Sequence, residues 1–145
     1  MTKKIIKSYM DLEVWQKSMD MVEEIYRLSK LLPKDEIFGL RAQMRRSAVS
    51  VAANIAEGHG RLHRADYLRH LSFAKGSLAE TETHLQIAVR LSYLQRSDAK
   101  KAWAILQSVG RLLGSLIHAL ERSQVSPRSK SSSPSPQPPA PSPSP

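Results

Sequence analysis

The fold follows from the stretch RADYLRHLSFAKGSLAETETHLQIAVRLSY, residues 64–93. Small and apolar side chains recur at Tyr67, Leu71, Ala74, Leu78, Thr81, Leu85 and Ala88, in alternating steps of four and three. That is the period at which one helix lays a continuous seam against its neighbours in near-antiparallel bundle packing. A strand would need a repeat of two, which this stretch lacks.

Helical periodicity extends outward in both directions. A first helix is expected from Asp11, as N-cap, to about Leu32, with Leu12, Trp15, Met19, Val22 and Tyr26 as its inward stripe. Pro33 stops it. Asp35 is placed to cap a second helix over about Glu36 to Glu57, whose stripe is Leu40, Met44, Ala48, Val51 and Ile55. Gly58 and Gly60 end that helix through the left-handed backbone that glycine accepts. Ser97 caps a fourth helix to about Glu121, with Ala99, Ala102, Leu106, Val109, Leu113, Leu116 and Leu120 inward; Trp103 and Ile117 widen this stripe. Short connections make successive helices antiparallel neighbours. The expected architecture is all-α, an antiparallel up-down-up-down four-helix bundle over residues 11–122. A basic segment, 1–10, precedes it. A Pro/Ser-rich tail, 123–145, follows and is too poor in apolar surface to fold, so it is expected to be disordered.

Composition narrows the class. The 145 residues suffice for one domain with a modest core. There is no cysteine, so disulfides and thiolate metal sites are excluded. No stretch approaches the roughly 20 apolar residues of a membrane span, and the first ten residues lack the apolar run of a signal peptide. A cytoplasmic protein is expected. The formal net charge is +9, and it is unevenly spread. Residues 11–36 carry four basic and seven acidic side chains, whereas 37–75 carry seven basic and two acidic. A basic zone of this kind attracts phosphate backbones through counterion release.

Residues 43–58, QMRRSAVSVAANIAEG, are crowded with Ser47, Ala48, Ser50, Ala52, Ala53 and Ala56. A helix that is small or apolar on nearly all sides is contacted on several faces, which points to a subunit interface here. Asn54 and Glu57 interrupt this surface, and polar groups among apolar neighbours must be hydrogen-bonded and tend to set register. Glu80 and Glu82 lie on opposite sides of the third helix and cannot share a substrate. They suit ion pairs with Arg45 or Arg46. His59 and His63 have metal-binding spacing, but the glycines around His59 break the helical face that a metal would need. No nucleophile elbow or phosphate-cradling glycine loop occurs. The chain is therefore expected to be non-enzymatic, with neither cofactor nor metal. The turn GHGRLHR, 58–64, instead sets Arg61, His63 and Arg64 beside a helix N-terminus, with Arg69 nearby, which suits phosphate contact.

The segments DLEVWQKSMDMVEEIY, LPKDEIFGLRAQMRRSAVSVAANIAEGHGR and AKGSLAETETHLQIAVRLSYL resemble the family of 23S rRNA-intervening sequence proteins over roughly residues 9–120. The most specific element is Asn54-Ile55-Ala56-Glu57-Gly58, preceded by Gln43, Arg46 and Ser50; Gly76-Ser77-Leu78 with Glu80 adds to it. The resemblance implies a four-helix bundle assembled into a homopentamer. It also implies kinship with the nucleic-acid-binding accessory determinant of diversity-generating retroelements, which binds a reverse transcriptase. Thr81 departs from the family pattern, where leucine is usual, and a loosened layer is expected there. Residues, charge and resemblance together lead to a non-catalytic oligomer that binds structured RNA, with Arg41, Arg45, Arg61, Arg64, Arg69, Lys100 and Lys101 as candidate phosphate contacts. The competing reading is a protein-interaction module serving a reverse transcriptase or another polymerase.

Overall fold

A computed structural model of the chain describes residues 5–124. Nearly all of the tail expected to be disordered, and the first four residues of the basic segment, lie outside the described residues. Four helices follow in order: α1 (Glu13–Ser29), α2 (Leu40–His59), α3 (Arg64–Arg90) and α4 (Arg96–Gln124). Short 3-10 turns at Tyr9–Asp11 and Lys34–Glu36 precede α1 and α2. Among the described residues there is no strand, and no helix is long and apolar enough to cross a membrane. Each helix packs on two others: α2 lies against α1 and α3, and α4 against the same pair. The α2–α3 contact is the most extensive and the α3–α4 contact the least.

On three helices the core follows the predicted stripes over most of their length, with Leu40, Tyr67, Leu116 and Leu120 only partly buried at its margins and Trp103 exposed. Met44, Ala48, Val51 and Ile55 of α2, the α3 heptad from Leu71 to Ala88, and Ala99, Ala102, Leu106, Val109 and Leu113 of α4 are all buried. On α1 the expected stripe is turned outward. Val14, Ser18, Met21, Ile25 and Leu28 face the core, whereas Met19 and Tyr26 are exposed and Leu12, Trp15 and Val22 only partly buried. Both stripes satisfy helical spacing, so periodicity alone does not choose between them. The serine in the buried one costs little because the Ser18 hydroxyl donates to the Val14 carbonyl at 2.7 Å.

The helix ends also differ from expectation. Asp11 closes the 3-10 turn by accepting from the Lys7 and Ser8 amides, and α1 begins two residues later. The carboxylate of Glu36, not Asp35, accepts the Leu40 amide at 2.8 Å and starts α2. Asp98 rather than Ser97 binds the Gln95 amide at the head of α4. No described glycine has a positive φ; that conformation belongs to Ser92, φ 63°, after α3.

Gly58 and Gly60 therefore have other roles. Gly60 caps α2 in a right-handed conformation. Gly58 lies inside α2 where α3 passes so close that an added Cβ would stand 2.8 Å from His70 Cβ and 3.1 Å from Tyr67 Cδ1. Gly76, by contrast, faces open space. Gly58→Ala is expected to destabilise the fold by about 1–3 kcal/mol through overpacking. Gly76→Ala should stabilise it by about 0.5–1 kcal/mol by restricting the unfolded chain. Urea unfolding midpoints of the two variants should move in opposite directions.

Candidate nucleic-acid interface

Three surfaces are built on this frame, and the predicted residues divide among them. The first is the internal seam between α2 and α3. Asn54 donates to the Ser50 carbonyl at 2.9 Å, and its Oδ1 lies 3.3 Å from His70 Nδ1. Because that oxygen can only accept, the ring nitrogen supplies the proton. Ser50 meets Ser77 at 2.9 Å. Thr81 donates to the Ser47 hydroxyl at 2.8 Å, and Ser47 lies 3.2 Å from His84 Nδ1. Thr81 is fully buried. The layer expected to be loosened is instead closed by hydroxyls, which need less room than leucine. Ser50, Asn54 and Gly58 thus hold two helices of one chain together.

The second surface is apolar. Ala53 and Ala56 lie with Trp15, Met19, Val22 and Val49 in an outward groove of about 300 Å³ between α1 and α2. The α1 stripe that fails to enter the core supplies Trp15, Met19 and Val22 to it. This is the part of the small-residue segment left uncovered by the chain's own packing.

The third surface is the charge. Arg41 stands in the first turn of α2 and Arg61 and Arg64 beyond its other end, separated by the length of a 20-residue helix, about 30 Å. The structure therefore does not gather the candidate cations into one patch. Several are also engaged. Arg45 donates to Ser29 at 2.7 Å and lies 4.7 Å over the Tyr26 ring, which ties it to α1. Arg61 pairs with Glu57 at 2.6 Å, and Arg69 approaches Asp66 at 3.8 Å. Arg46 donates to Gln43 on an exposed face. The ion pairs expected between Arg45 or Arg46 and Glu80 or Glu82 are not formed, because Arg45 turns to α1 and Arg46 to its own helix. Glu57 sits at the solvent edge and also faces His70 Nε2 at 3.9 Å.

Lys101 leans on a group that sequence reasoning missed. Glu24 is buried on α1, held by Arg27 at 2.5 Å with Lys101 3.9 Å away. The Arg27 hydrogen bond keeps its carboxyl below the usual range, against the opposing pull of burial. The spacing of Glu24 and Arg27 is legible in the sequence; the burial is not, because it follows from which α1 stripe faces inward. Arg64 and Lys100 are exposed and make no ion pair among the described residues, and the same holds for Arg90 and Arg96. Among the described residues no cluster of histidines and carboxylates could hold a metal.

The packed helices, the hydrogen-bonded seam and the absence of any described strand define an all-α, four-helix protein. A family model described as 23S rRNA-intervening sequence protein matches residues 10–115, and the chain belongs to this family. A solved structure of a protein with unknown function from the S23 ribosomal protein family of Bacteroides thetaiotaomicron is similar, with a TM-score of 0.67 and 30% identity. The match covers 72% of this chain and 97% of that one. No curated protein matches the sequence.

The seam carries one testable consequence. Burial lowers His84 below its ordinary value of 6.5; Glu80 opposes the shift and Arg46 adds to it. A ring held neutral in the folded state contributes stability above the unfolded value, and that stability is lost as pH falls through the lower folded value. The urea midpoint should therefore drop between about pH 7 and pH 5. It should drop less in His84→Gln, which no longer titrates there; identical pH profiles would remove His84 from the account.

Proposed function

We propose that this chain is a non-catalytic, self-assembling RNA-binding protein that contacts structured RNA through its phosphates and uses neither cofactor nor metal. The observation that carries the reading is the set of uncompensated cations. Arg64, Arg90, Arg96 and Lys100 are exposed, with no ion pair among the described residues, on a chain of net charge +9. Such groups gain most from releasing the counterions of a phosphate backbone. Action on RNA implies a cytoplasmic site of work.

Self-assembly is supported by the groove of Ala53, Ala56, Trp15 and Met19, an apolar face that a second copy would cover. The order of partners along the seam, Ser47 with Thr81, Ser50 with Ser77 and Asn54 with His70, supports the antiparallel up-down-up-down arrangement. In a homopentamer the cations of five copies would act together, so individually weak contacts become strong by multivalency. The same apolar groove is the surface on which a reverse transcriptase or other polymerase would dock under the adaptor reading. A stoichiometric protein partner that survives nuclease treatment would favour that alternative.

Affinity for a structured RNA should fall about tenfold or more between roughly 50 and 200 mM salt. A flat salt response, or no binding at low salt, overturns the reading. Ala53→Trp, which crowds the groove, should lower the particle mass by light scattering toward the 16.2 kDa of one chain. Unchanged mass would remove this face from the assembly.

A further inference from the structure

We infer that the groove between α3 and α4 binds unpaired nucleotides, with a base stacked on Trp103 and the neighbouring phosphates held by Arg90, Arg96 and Lys100. This rests on the RNA-binding reading and narrows it to one face and one kind of strand. The groove has a volume of about 660 Å³ and contains Leu85, Val89, Arg90, Arg96, Lys100 and Trp103 among its lining residues. Its size falls within the usual range of ligand sites, roughly 300–1,000 Å³.

The groove exists because of how α4 is built. Ala99 and Ala102 form the inward surface of its first turns, and the α3–α4 contact is the least extensive of the four helix contacts. Trp103 is consequently left at the rim, 38% exposed, rather than drawn into the core. Arg96, Lys100 and Trp103 stand at i, i+4 and i+7, so two cations and the indole share one face of α4. Arg90 adds a third cation at the end of α3. None of the three cations makes an ion pair among the described residues, and no carboxylate lines the groove.

Charge complementarity therefore calls for an anionic occupant, and the indole calls for one with a flat apolar face. An unpaired nucleotide supplies both. In a duplex the base faces are already stacked on each other, so they cannot reach the indole. Stacking on an aromatic side chain is sequence-tolerant because every base has such a face.

The chain has two tryptophans, so Trp15→Phe leaves Trp103 as the sole indole reporter. Titrating this full-length variant with an unstructured oligouridylate of about ten nucleotides at low salt should quench Trp103 emission saturably. Should Trp15→Phe not fold, the unsubstituted chain compared with Trp103→Phe isolates the same signal. Trp103→Ala should weaken binding roughly 5- to 150-fold without changing the salt slope, and Trp103→Phe should retain most of the affinity. Arg96→Gln should instead flatten the slope of log affinity against log salt by about 0.7. Equal quenching by oligothymidylate would support a site blind to the sugar, and quenching by the ribo-oligomer alone a site that reads it. Unquenched Trp103 and undiminished binding in Trp103→Ala, while structured RNA still binds in a salt-dependent way, would overturn the groove and leave the RNA reading standing. Failure of every nucleic acid to bind at low salt would overturn both. Stronger quenching by a polyglutamate peptide than by the oligonucleotide would overturn the proposal in favour of an acidic protein segment.

Discussion

The close approach of α2 and α3 is the constraint on which the rest of the structure depends. Gly58 lets the helices meet without a Cβ between them, and a Cβ there would stand 2.8 Å from His70. Where they meet, Ser47, Ser50, Ser77 and Thr81 face one another across the interval and satisfy one another's hydroxyls. Buried polar groups are costly when unpaired and specifying when paired. A slip of one turn along this seam would break several of these bonds at once, so hydroxyl and amide partners hold the register where apolar side chains would tolerate sliding.

That arrangement determines what is left over. Once one flank of α2 is committed to α3, the flank bearing Ala53 and Ala56 is exposed beside the outer stripe of α1. The tight α2–α3 packing has its counterpart in the looser α3–α4 pair, where a groove opens around Trp103. The apolar surface suited to assembly and the cationic surface suited to nucleic acid thus lie on different helix pairs. An assembled particle can use both together.

Much of this is legible in the sequence. The heptad of α3 reads directly onto the buried seam because it is continuous and has no competing stripe. The motif ending in Gly58 marks a close crossing of α2 and α3. Its glycine, however, serves a helix crossing and not the left-handed turn that its place near a helix end suggests. On α1 two stripes satisfy helical spacing, and the core takes the one bearing Val14 and Ser18 over the one bearing Trp15 and Tyr26. Among the candidate cations, Arg45 and Lys101 look as free in the sequence as Lys100 does. Their tethers, Ser29 with Tyr26 and Glu24, sit on another helix.

The number of helices, their approximate spans and the family are properties of the sequence, because they depend on local periodicity and on breakers such as Pro33. Packing between helices settles the rest: which stripe of α1 turns inward, which carboxylate caps each helix, which cations stay unpaired and where a groove remains open. Each of those outcomes is a competition between side chains far apart in the chain. Its result is set by distances across helix contacts, and spacing within a single helix does not encode it.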